Sequence, residues 1–137
     1  MRFVYLLVVV ALSGCIPYPI YKTLQPASTV EVRDSAGGPI AGATAELVAN
    51  SYPYNRERTR SSATTDSQGI AQFEARKEWR IEAIMLHGAE SFYWNWCVKK
   101  EGFETYATRN DVGDDPAKRI DVVLKPGAST KCPKYGF

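Results

Sequence analysis

The sequence holds a single histidine, His87, and no Cys-x-x-Cys pair. A multi-histidine zinc centre therefore has no ligand set, and no thiolate pair replaces it. A Ser/His/Asp relay could form only around His87. That residue falls in the turn-like stretch His87-Gly88-Ala89-Glu90, where a solvated histidine is expected. A marked excess of one charge is also missing: 17 basic residues face 15 acidic ones, a formal +2. Such a balance argues against a dedicated nucleic-acid binder, whose domains are strongly basic. No apolar run reaches the roughly 20 residues of a membrane-crossing helix. Phe3–Leu12 is an apolar run of ten. No segment keeps the 3.6-residue apolar period of a helix. Asp111, Asp114 and Asp115 cluster, but without the spacing of a calcium-binding loop, so they are read as a polar loop. No metal or cofactor is expected.

What is present begins at the N-terminus. Arg2 supplies a positive start, Phe3–Leu12 an apolar stretch, and Ser13-Gly14 small residues before a cleavage point. These are the parts of a secretory signal. Leu12-Ser13-Gly14-Cys15 resembles the lipobox of bacterial lipoproteins. The resemblance implies cleavage before Cys15, a diacylglycerol on its thiol and acylation of its amino group. Two or three acyl chains give a durable anchor, whereas one binds only marginally. In such lipoproteins an Asp after the cysteine retains the protein at the inner membrane. Ile16 stands there. The implied location is the cell envelope, on the periplasmic face of the outer membrane, or the outer face of a single membrane.

Loss of Arg2 from the 17 basic residues leaves 16 against 15 acidic ones in the mature chain. Its length suits one domain. With Cys15 lipidated, Cys97 and Cys132 remain as the possible disulfide pair in a compartment that permits one.

The expected organisation is a signal peptide over 1–14, a lipidated cysteine and tether over 15–27, a β domain over 28–126 and a tail over 127–137. Ile16–Ala27 carries three prolines and reads as an extended tether, free to reach out or to lie along the domain. Val30 and Val32 alternate with Glu31 and Arg33, the pattern of a half-buried strand. Ala43, Ala45 and Leu47 share a face; so do Ala71, Phe73 and Ala75, and Ile81, Ala83 and Met85. Ala49–Arg60 is read as a loop entering a strand at its end. In Phe92–Lys99, Phe92, Trp94, Trp96 and Val98 fall on one side, and Tyr93, Asn95, Cys97 and Lys99 on the other. Ile120, Val122 and Leu124 line the last strand. About seven short strands predict a single all-β, antiparallel β-sandwich of transthyretin-like or immunoglobulin-like type. If the tryptophans fill the core, Cys97 points outward, where a tail bearing Cys132 can reach it.

Gly38-Pro39-Ile40-Ala41-Gly42-Ala43, Thr65-Asp66-Ser67-Gln68-Gly69 and Val98-Lys99-Lys100-Glu101-Gly102-Phe103 stand in the order of three motifs of the carboxypeptidase regulatory-like domain, a transthyretin-like sandwich. The closing Ile120–Pro126 fits too, so the resemblance spans about Ser28–Pro126. It implies a module without catalytic residues of its own. Transthyretin-like hydrolases use several histidines and end Tyr-Arg-Gly-Ser; here the chain ends Lys134-Tyr135-Gly136-Phe137.

The expected function is a non-enzymatic, lipid-anchored envelope lipoprotein whose sandwich is a binding or scaffold module. The alternative is a subunit of an envelope secretion machine, like the type VI secretion lipoproteins; a hydrolase is the third reading. The expected partners are the membrane, through Cys15, and an envelope protein. Tyr and Arg are enriched at interface hot spots, which marks Tyr52, Tyr54, Arg56, Arg58 and Arg60 as the candidate contact. If extended, the three arginines share one face. Trp94 and Trp96 could stack on a sugar, but core packing is their default.

Overall fold

In the computed structural model, residues 17–83, 90–109 and 118–135 are described. Cys15, His87, Met85, Asp111, Asp114 and Asp115 lie outside them. The described chain is all-β. Its nine strands are β1 (Pro17–Gln25), β2 (Ser28–Asp34), β3 (Thr44–Tyr52), β4 (Arg56–Thr64), β5 (Ile70–Phe73), β6 (Arg76–Ala83), β7 (Ser91–Lys99), β8 (Tyr106–Ala107) and β9 (Arg119–Leu124).

A three-stranded sheet, β5-β2-β9, packs on a four-stranded sheet, β4-β3-β7-β8. The alternation seen in the sequence sets the contact between them. Val30, Val32, Ala71, Phe73, Val122 and Leu124 of the first meet Ala45, Leu47, Trp96 and Val98 of the second in one core. Trp96 stands edge-on to Phe73 across it, ring centroids 5.4 Å apart. Trp94 is only partly buried, and its indole N–H donates to the Leu24 carbonyl at 2.9 Å.

The turn between β4 and β5 is built by local hydrogen bonds. Asp66 Oδ1 accepts from the amides of Gln68 and Ile70, at 2.8 and 3.0 Å. Gly69 has φ +74°, and a Cβ there would lie 2.4 Å from the Val32 carbonyl oxygen. Glycine is thus required both for backbone sign and for space. Beside it, buried Thr65 donates to the Ile40 carbonyl and accepts from the Ala43 amide. One hydroxyl so ties the start of β3 to the end of β4.

Several expectations need correction. The sandwich is not wholly antiparallel: β2 and β9 run parallel, with Thr29 opposite Arg119 and Asp34 opposite Leu124. Among the described residues strands number nine rather than about seven, and two segments were read otherwise. The first, which adds a strand, is the supposed tether. Pro17–Gln25 pairs antiparallel with β6 as a two-stranded ribbon. Prolines are tolerated because each strand of a two-stranded ribbon has an open edge. Gln25 is buried, its amide donating to the Glu74 carbonyl and its carbonyl oxygen accepting from the Ser61 hydroxyl. The second is Ala49–Arg60, which forms a β3–β4 hairpin turning at Pro53-Tyr54-Asn55 after a cis Tyr52–Pro53 bond. Ala75 lies beyond the end of β5 and is exposed, and Ile81 is 79% exposed. The apolar side of β6 therefore faces away from the core.

The ribbon is held to the sandwich by charge. Lys22 pairs with Glu82 within the ribbon at 2.7 Å, and reaches across to donate to the Glu90 carbonyl. Arg80 pairs with the Glu90 carboxylate at 2.8 Å. Both cations lie over the Phe92 ring.

Candidate functional site

The sheet face away from the core carries Glu46 and Val48 on β3, and Asn95, Cys97 and Lys99 on β7. The sequence places this side away from the core, within reach of the tail, and Val48, Asn95 and Cys97 are buried there. Cys97 is joined to Cys132 by a disulfide, which holds the tail against this side of the sheet. Further bonds hold the tail at intervals. The Thr105 hydroxyl donates to the Thr130 carbonyl and accepts from its amide. Arg60 donates to the Pro133 carbonyl at 3.0 Å. The Tyr135 hydroxyl donates to the Thr108 carbonyl at 3.0 Å, with the Trp96 carbonyl at 3.3 Å.

Between the tail and the hairpin lies an open groove of about 710 Å³. It is lined by Glu46, Arg56, Glu57, Arg60, Lys99, Lys131, Cys132, Lys134 and Tyr135. Glu46 pairs with Arg60 and with Lys99. Glu57 pairs with Arg60 at 2.7 Å. The Arg60 guanidinium hydrogen-bonded to Glu57 holds that carboxyl below its ordinary value of 4.5, against the smaller opposing effect of burial. Burial pushes the Tyr135 phenol above its ordinary 10.0. With both local carboxylates engaged, Arg56, Lys131 and Lys134 leave the groove positively charged. The chemistry on offer is recognition of an anionic group, by point charges and a guanidinium fork.

The three arginines of the hairpin do not share a face. A bulge between Ala49 and Asn50 pairs them with Thr59 and Glu57, so Arg58 is skipped and the alternation breaks. Arg60 reaches the tail. Arg58 approaches Glu90 at 3.6 Å, toward the ribbon. Arg56 stacks over the Tyr54 ring at 5.2 Å. Tyr52 and Tyr54 are exposed at the hairpin end. Lys99, Lys131 and Lys134 were missed by sequence reasoning; their only signal was the proximity of Cys132 to Lys131 and Lys134. Among the described residues, no group of three or more His, Cys, Asp or Glu side chains is placed to hold a metal ion.

Comparison with known protein families, characterised proteins and solved structures finds no match to this chain.

The Arg60–Glu57 pair makes the tail's attachment sensitive to acid. Because the folded-state value of Glu57 is depressed, its contribution is present above pH 4.5 and is lost as pH falls through the lower folded value. Thermal melts between about pH 6 and pH 3 should therefore show a steeper loss of stability for the native chain than for Glu57→Gln. Parallel acid limbs would show that the pair contributes nothing to the fold.

Proposed function

We propose that this protein is a non-enzymatic, lipid-anchored lipoprotein of the cell envelope, held by acylated Cys15 at the periplasmic face of the outer membrane. Its sandwich is a binding module of the carboxypeptidase regulatory-like kind, and its groove takes an acidic segment of an envelope protein. The observation that carries the reading is the disposition of the three cysteines. Cys97 and Cys132 are joined in a disulfide, as suits a chain that folds outside the reducing cytoplasm. Cys15 is left over, at the end of Leu12-Ser13-Gly14-Cys15. The Thr65–Gly69 turn, with its two Asp66 hydrogen bonds, supports the family resemblance. The contact surface shifts from the one expected: Tyr52, Tyr54 and Arg56 stay in it, joined by Lys131 and Lys134, while Arg58 and Arg60 are engaged in ion pairs.

Cells expressing the full chain should incorporate a fatty-acid probe into it and retain it in the membrane fraction. Cys15→Ser should abolish labelling and release the protein. A labelled, membrane-bound Cys15→Ser product would overturn the anchor. In the labelled strain, Arg56→Ala, Lys131→Ala and Lys134→Ala together should weaken crosslinking to envelope proteins.

A further inference from the structure

The ribbon presents one face to the sandwich and leaves the other bare. On the bare face, Tyr21 stands directly opposite Trp79, and Pro19 opposite Ile81. Trp79 is 73% exposed and Tyr21 54%. The two rings touch, with centroids 5.2 Å apart. The next pair along the same face is Thr23 with Lys77, and Lys77 is exposed. A Trp, a Tyr, an Ile and a Pro in one exposed stripe make a surface that water solvates poorly. Trp and Tyr beside Lys form the composition that settles at a membrane–water boundary, the rings at headgroup level and the cation among phosphates.

Position decides what covers it. Only Ile16 separates Cys15 from Pro17, the first residue of β1. Two extended residues span at most about 7 Å. A lipid on Cys15 would thus bring the ribbon's first residue to the level of the headgroups, with Pro19 and Ile81 next along it. From these observations we infer that the Pro19-Tyr21-Trp79-Ile81 face of the ribbon lies on the bilayer surface, with Trp79 in the headgroup–acyl boundary. This rests on the lipid anchor proposed above. The ribbon is then a second point of attachment, one that fixes which side of the sandwich faces away from the membrane.

The test uses the full chain isolated from cell membranes after fatty-acid labelling. It is placed in vesicles of phosphatidylethanolamine and phosphatidylglycerol carrying brominated acyl chains. Trp79 is isolated as the emission difference between the native chain and Trp79→Phe, a change on an exposed ring that leaves the core untouched. Brominated lipid should remove about half of that difference signal, as depth in the boundary requires. Aqueous acrylamide should quench it less in vesicles than in denaturant. A labelled protein whose Trp79 is open to acrylamide and untouched by brominated lipid would overturn the docking and leave the anchor standing. A labelled protein whose Trp79 is shielded from both quenchers, with crosslinked dimers, would assign the face to a second copy and also overturn it. An unlabelled protein would overturn the anchor and the docking together.

Discussion

Trp96→Ala should cost about 3–5 kcal/mol of unfolding free energy, the range for deleting a large aromatic from a packed interior. The site has the features that make the cost high. Trp96 is 3% exposed and joins both sheets through Phe73. It also sits where β7 passes between β3 and β8, so the cavity would open in the middle of the sheet. Surrounding side chains such as Val98 and Leu47 belong to strands paired on both sides and have little freedom to collapse inward. Since domain stabilities are about 5–15 kcal/mol, this one change approaches the whole of a marginal fold. Urea titration gives the measurement, and an unchanged slope would confirm that only stability had moved. Trp94→Ala is the comparison: partly buried, it should cost clearly less. Equal losses would show that the core is not centred on Trp96.

Removing the disulfide should be nearly as damaging. Cys97 and Cys132 are 35 positions apart. For a loop of that length the chain-entropy relation gives about 3–4 kcal/mol. The double variant Cys97→Ala, Cys132→Ala should therefore unfold at much lower urea than the native chain. Lys131 and Lys134 then become early tryptic sites, because the tail loses its central fixation. A loss below about 1 kcal/mol would mean that the Thr105–Thr130 and Tyr135 hydrogen bonds hold the tail by themselves.

What the sequence revealed was the part governed by a simple inside–outside rule. Val30 and Val32, Ala45 and Leu47, Trp96 and Val98, and Val122 and Leu124 alternate because one face of each strand meets the core and the other does not. The Asp66–Gly69 turn was legible because its chemistry is local. The ribbon was not. Its prolines resemble a linker, and its apolar residues point away from the core, so the rule that located β2 found the apolar face of Ile81 without showing that it is exposed. Arg58 was misread because a bulge is invisible to a period-two argument. Cys97 was legible as an outward residue of β7 within reach of a tail bearing Cys132, and the disulfide closes there; the burial of Asn95 beside it was not, because nothing local in the sequence says how much of the sheet the tail covers. The parallel pairing of β2 with β9 was equally hidden, since side-chain alternation is the same for either direction.

That parallel pairing also governs when the molecule can fold. β2 is the middle strand of its sheet, yet one of its two neighbours is β9, the last strand among the described residues. Contacts this distant along the chain are the slow ones, because closing so long a loop must precede any gain from the pairing. Until Arg119–Leu124 arrives, Val30 and Val32 face an unfinished layer. Completion of this sheet is thereby deferred until β9 has been made, about 90 residues after β2.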